Sequence, residues 1–206
     1  MKFVLALSRP LLFLVIVAVA AAPVLATDNT LGLYYDTSAS IAEIDISANS
    51  IQSLYLILLN PVNEDYDGGG IRDVGYIGAF ECAVEPPGGD VLLGVSFPVF
   101  TVNVGSTDNI VAGYGTPISV SSERSAVLAT FNVMTMGNNP VGYRLLPTVI
   151  STHDNTMAYL DAEDPDDEVV DMVPVSGSHD LPVFTFGDYT IEEDARWGGV
   201  KALYRQ

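Results

Sequence analysis

Short runs rich in Val, Ile, Thr, Tyr and Phe recur along this chain, and clusters of Gly, Pro, Asn and Asp cut between them at short intervals. That pattern limits the chain to many short strands joined by turns. The runs are LGLYY (31–35), IAEIDI (41–46), SLYLILLN (53–60), YIGAFECAV (76–84), VLLGVSF (91–97) and NIVAGY (109–114). AVLATFNVM (126–134), VGYRLL (141–146), MAYLD (157–161), EVVDMVPV (168–175) and LPVFTF (181–186) follow. SLYLILLN is apolar on both faces, which predicts a central strand covered on both sides. In YIGAFECAV, alternation puts Phe80, Cys82 and Val84 on one face and Ala79, Glu81 and Ala83 on the other. In AVLATFNVM it puts Val127, Ala129, Phe131 and Val133 together. Long amphipathic helical patterns are missing. Strands without helical crossovers predict an all-β, two-sheet antiparallel β-sandwich, with a closed barrel as the structural rival. No repeat of fixed period points to a solenoid or propeller.

The two ends read differently. Residues 1–26 open with Lys2 and Arg9, continue with an apolar run from Leu11 to Ala22, and close on Val24-Leu25-Ala26. This is the layout of a secretory signal peptide, and the run is shorter than the ~20 residues of a membrane span. The expected division is therefore a leader (1–26), a sandwich domain (27–187) and a C-terminal tail (188–206). The expected location is outside the cytoplasm of a bacterium: secreted, periplasmic or at the cell surface, with no membrane insertion after cleavage. The tail, DYTIEEDARWGGVKALYRQ, holds the single tryptophan and the cations Arg196, Lys201 and Arg205. Its Gly198-Gly199 pair makes a short helix over 200–204 marginal.

Charge narrows the function. The chain has 8 basic and 26 acidic residues. With Lys2 and Arg9 gone, 6 basic residues face the same 26 acidic ones, a net of −20. Nucleic acid and anionic membrane surfaces are excluded as direct partners, because phosphate contacts need basic side chains. The single cysteine, Cys82, rules out a disulfide framework and reads as a buried, inert thiol.

SLYLILLNP, GAFECAVEPPGGDVLLGVSF, SAVLATFNVM and AYLDAEDPDDEVVDMVPVSG follow one another in an order that resembles cohesin-like and related carbohydrate-binding-module-like β-sandwiches of bacterial secreted proteins. The resemblance covers roughly residues 30–187. It implies a non-catalytic module that binds a protein partner through one sheet face, and it carries no recognition residues over. WGGVKALYR resembles a short terminal piece of secreted bacterial proteins of uncharacterised function.

Several clusters are candidates for chemistry. Asn63, Asp65 and Asp67 alternate before Gly68, as in the first half of a calcium-binding EF-hand loop. The position of the bidentate glutamate is Val74, and Asp73 is the distal carboxylate available in its place. Asn63, Asp65, Asp67 and Asp73 are thus the candidate metal ligands; no cofactor is expected, a structural calcium at this loop being the alternative. The competing expectation is a solvated loop. Asp161, Glu163, Asp164, Asp166, Asp167, Glu168 and Asp171 form a second acidic cluster, expected to be a solvated charged loop. His153 and His179 lie in loop-like contexts. Ser176, Ser178, His179 and Asp180 hold the residue types of a hydrolase triad, but a triad is assembled in space, not in adjacent positions, and no nucleophile-elbow pattern is present. The tyrosines at 34, 35, 55, 66, 76, 114, 143 and 159 are expected in the core or at its rim. No catalytic residue is assigned. The functional expectation is a non-catalytic exported interaction or adhesion module with an unknown protein or polysaccharide partner. A carbohydrate-binding module is the second reading and an extracellular hydrolase the third.

Overall fold

The computed structural model describes residues 27–45, 49–136, 140–166 and 168–187, so the leader and the tail lie outside the described residues. Fourteen strands are found among them: β1 (Thr30–Tyr34), β2 (Glu43–Ile44), β3 (Ile51–Leu59), β4 (Val62–Glu64), β5 (Ile71–Asp73), β6 (Tyr76–Glu85) and β7 (Val91–Ser96). Then come β8 (Thr101–Asn103), β9 (Asn109–Ser119), β10 (Ser125–Met134), β11 (Val141–Leu146), β12 (Met157–Asp161), β13 (Val169–Pro174) and β14 (Phe184–Phe186). The described residues hold no helix long and apolar enough to cross a membrane.

Each of the eleven apolar runs forms a strand. Three strands escape the pattern: β4, β5 and β8, each of three residues with a single apolar one and outside any apolar run. The ladder runs β7-β10-β3-β1 and passes through β13 to β12 and β6. β6 carries β9 and then β8 on one edge; on the other, β11 follows β12 and leads to β14 and β2. Pairing is mostly antiparallel, as expected. Two pairs are parallel: β1 with β13, and β14 with β2.

The core forms where the inward faces meet. Leu31 and Leu33 of β1, Leu54, Leu56 and Leu58 of β3, and Phe131 and Val133 of β10 are fully buried. They belong to one cluster with Phe80, Cys82 and Val84 of β6, Tyr143 of β11, Tyr159 of β12, and Phe184 and Phe186 of β14. β3 is central, between β1 and β10, and Ile57 is fully buried as well. Cys82 is a buried free thiol, and burial together with neighbouring Glu81 pushes its pKa well above the ordinary range.

The alternation expected for β10 needs one correction. Val127 opposes Ile57, but the next pairing is Ala129 with Leu56, so Leu128 is an extra residue. A bulge of this kind shifts the side-chain phase by one position. Ala126 and Leu128 are therefore buried on the near side of it, Ala129, Phe131 and Val133 beyond it, and Val127 leaves the core face.

Two carboxylates tie down the ends. Asp90, just before β7, accepts hydrogen bonds from the Tyr143 hydroxyl at 2.8 Å and the Met136 N–H at 3.1 Å. Burial, and then this bond, drive the Tyr143 pKa well above that of an ordinary phenol. Asp36, after β1, accepts from the Ser38 and Ser40 hydroxyls and from the Ser40 and Ile41 N–H groups. Slight burial opposes ionisation, but these donors win and hold its pKa at about 2.

Phe131→Ala opens a cavity in the cluster and is expected to cost about 3–5 kcal/mol, read from urea denaturation midpoints. A loss below about 1 kcal/mol would mean that Phe131 is not a core residue. Asp36 has a depressed folded pKa, so its contribution is complete above about 3.8 and is lost as pH falls towards about 2. Asp36→Asn should remove that part of the acid dependence of stability while leaving the curve near neutral pH parallel to wild type. An unchanged acid limb would refute this role.

Candidate functional site

β6 supplies the floor of the most distinctive surface feature. Its inward residues are core, and its outward residues are Ala79, Glu81 and Ala83. Register extends each of these positions across neighbouring strands. One row runs Val102 of β8, Gly113 of β9, Ala79, Leu160 of β12 and Val169 of β13. The next runs Val111, Glu81, Ala158 and Asp171, with Val104 donating its N–H to the Val111 carbonyl. Each of the three central strands contributes one Gly or Ala to these rows (Gly113, Ala79 and Ala158), while Val102, Val104 and Val169 stand on the flanks. A sheet with small residues along its middle and branched ones at its sides is a trough, here of about 350 Å³.

Its walls are wetted. Val102 is 57% exposed and Val104 76%, and in the nearby loop Val149 and Ile150 are exposed as well. Asn109 holds this loop, accepting from the Val149 N–H at 2.8 Å. A Cβ added at Gly113 would meet no atom within 4 Å, so the floor there is open space.

Glu81 was expected on this outer face, and it is there, but it is buried rather than solvated. Its oxygens accept from the Ser151 hydroxyl at 2.8 Å, the Thr152 hydroxyl at 2.6 Å, and the N–H groups of Thr152 and His153. The carboxylate therefore pins the 151–153 loop over one end of the trough. His153 lies 3.3 Å from Asp171 through Nε2, and Asp171 also accepts from the Thr156 hydroxyl.

The candidate metal ligands sit on the hairpin β4–β5. Asn63 is buried and donates to Asp161 at 3.1 Å and to Glu168 at 3.2 Å. Asp65 shapes the turn: its N–H bonds the Gly70 carbonyl, its carbonyl takes the Gly68 N–H, and Oδ1 takes the Asp67 N–H. Gly68 and Gly70 have φ of +75° and +113°, which side chains resist. Asp67 is exposed, and Asp73 pairs with Arg124 at 2.7 Å. Among the described residues, no three His, Cys, Asp or Glu side chains are grouped to hold a metal ion.

The second acidic cluster is corrected by the structure. Its first part is not a solvated loop: Asp161 is fully buried and Asp164 nearly so. Both face Arg72, whose guanidinium bonds Asp161 directly and lies 3.5 Å from Glu163 and 3.9 Å from Asp164. Glu163 also accepts the Gly75 N–H at 2.6 Å. The long loop is thus wrapped around one cation delivered by β5. Glu163, Asp166, Glu168 and Asp171 keep the expected exposure, and Asp167 lies outside the described residues.

The remaining candidates are committed locally. His179 donates from Nδ1 to the Leu145 carbonyl at 2.8 Å. Ser176 donates to the Ser178 and Leu181 carbonyls, and the Ser178 hydroxyl accepts from the Asp180 N–H. These bonds close one turn and include none between a serine hydroxyl and the imidazole. Of the tyrosines, Tyr34, Tyr143 and Tyr159 are core, while Tyr35, Tyr66 and Tyr76 are exposed.

Neither a protein-family model nor a curated protein matches the chain. Among solved structures it is similar to a cohesin module from a Clostridium perfringens family 33 glycoside hydrolase, with a TM-score of 0.43 and 13% identity. That match covers 71% of this chain and 90% of the module. The all-β fold class stands on the strand pairing itself.

Arg72→Met leaves the buried Asp161 without its counter-charge and is expected to cost about 3–5 kcal/mol. Arg72→Met with Asp161→Asn should cost clearly less than Arg72→Met alone, read in a double-mutant cycle of urea midpoints. Additive losses, the double variant costing the sum of the two single ones, would show that the two side chains are not coupled.

Proposed function

We propose that this chain is a non-catalytic, exported β-sandwich that binds a protein partner outside the cell through the apolar trough on the outer face of β8, β9, β6, β12 and β13. The observation that supports this reading is the trough's lining. A small-residue floor at Gly113, Ala79 and Ala158 lies between exposed branched walls. Exposed contiguous apolar surface marks interaction sites, and covering it gains roughly 25 cal/mol per Å².

The lining favours aliphatic protein side chains over sugar. Sugars stack on exposed aromatic rings, whereas the two aromatic residues here, Phe80 and Tyr159, are 3% and 1% exposed and belong to the core. Charge narrows the partner further. Arg72, Arg124 and Arg144, the only basic residues among those described, are all in ion pairs, and acidic residues surround them. A neutral or basic partner surface fits, and an acidic one is repelled.

Gly113→Val raises the floor at a position where an added Cβ meets no atom within 4 Å, and Val102→Asp puts a charge on an exposed wall. Pull-down from the native extracellular fraction with the chain from Thr27 onward should recover a protein. Either substitution should weaken its binding at least about tenfold, equivalent to about 1.4 kcal/mol. Undiminished binding by both variants would move the interface elsewhere. Recovery of no protein, with substrate turnover by the purified chain, would defeat the reading.

A further inference from the structure

We infer that in the free protein the trough is occupied by the chain's own C-terminal segment, residues 195–206, which a partner must displace. The inference rests on the trough being a docking surface. It goes further by naming the occupant.

The segment, ARWGGVKALYRQ, has the chemistry the trough lacks. It carries Arg196, Lys201 and Arg205 and no acidic residue, and it interleaves them with Trp197, Val200, Leu203 and Tyr204. The trough offers apolar walls for the second set. Asp171 lies at the end of one floor row, directly opposite Ala158. Asp154 directly follows the loop that Glu81 pins, and both carboxylates are exposed. Every described arginine is already paired elsewhere, so among the described residues only the His153 imidazole, 3.3 Å from Asp171, stands beside this rim as a basic group.

The chain also leaves the domain within reach. Phe186 of β14 opposes Val141 of β11, and Arg144 of β11 opposes Glu85, so β14 ends beyond the last residue of β6. Counting registers back to Ala79 and Glu81 gives a separation of roughly 30 Å, at about 3.3 Å per residue and 4.8 Å per strand. Gly187 has a φ of +74°, a left-handed conformation that turns the chain off the line of β14. From there, residues 188–200 span up to about 43 Å when extended, enough to bring Val200 into the trough. A tether of this length holds the segment at an effective concentration in the millimolar range, so a contact too weak to form between separate chains forms within one. The acidic stretch Glu192-Glu193-Asp194 falls in the tether, outside the docked part.

Trp197, the only tryptophan, makes the test direct. In the chain from Thr27 to Gln206, its fluorescence should be blue-shifted relative to the denatured chain and shielded from acrylamide. Gly113→Val and Val102→Asp should each red-shift the emission and raise its quenching several-fold. Ile71→Asp, at a 73% exposed apolar residue on the β4–β5 hairpin outside the trough, should leave it unchanged. Far-ultraviolet dichroism confirms that each variant is folded. A Trp197 as quenchable in the native as in the denatured chain would overturn the inference. So would shielding that neither trough variant disturbs, or shielding lost on dilution, which would place the contact between chains. A partner captured by a chain with a freely quenched Trp197 would overturn the tail's seat and leave the docking function standing. A shielded Trp197 released by the trough variants, with no partner recovered, would do the reverse.

Discussion

One strand, β6, imposes opposite chemistry on its two faces, and most of the molecule is organised around that division. Phe80, Cys82 and Val84 point into the interior and meet the leucines of β1 and β3 and the aromatic residues of β11, β12 and β14. Ala79 and Glu81 point outward. Because β6 pairs with β9 along one edge and with β12 and β11 along the other, the small outward residues of its neighbours line up with its own. The hydrophobic interior and the surface trough are therefore two consequences of one period-two alternation.

Charge is handled in the same economical way. An excess of carboxylates repels itself, and burying any of them unpaired is costly. Here the buried ones are given donors. Arg72 and Asn63 serve Asp161, and the 151–153 loop serves Glu81. Each arrangement fastens a long connection to the sheet, so the acid residues act as anchors for loops that carry little apolar surface. The exposed remainder leaves the described surface strongly negative.

Strand existence was legible because every long run announces itself by alternation and by the turn residues at its ends. Fold class follows from that alone. What alternation does not reveal is a defect in its own phase: the bulge at Val127–Ala129 inserts a residue with no compositional mark, and so moves Val127 off the core face. Nor does it reveal strands of three residues such as β4, β5 and β8. The candidate ligand Asn63 was visible as an oxygen donor, yet its neighbours in space, Asp161 and Glu168, lie about a hundred residues further along the chain.

The amino-acid sequence by itself determined that this is a layered β protein with an acidic surface and an apolar alternation in β6, because those properties are local and additive along the chain. Only the tertiary structure decided that Gly113, Ala79 and Ala158 stand side by side as the floor of a trough, and that Arg72 neutralises a loop some ninety residues away. Strand order and register set those neighbours. They follow from the cooperative packing of the whole interior rather than from any one segment.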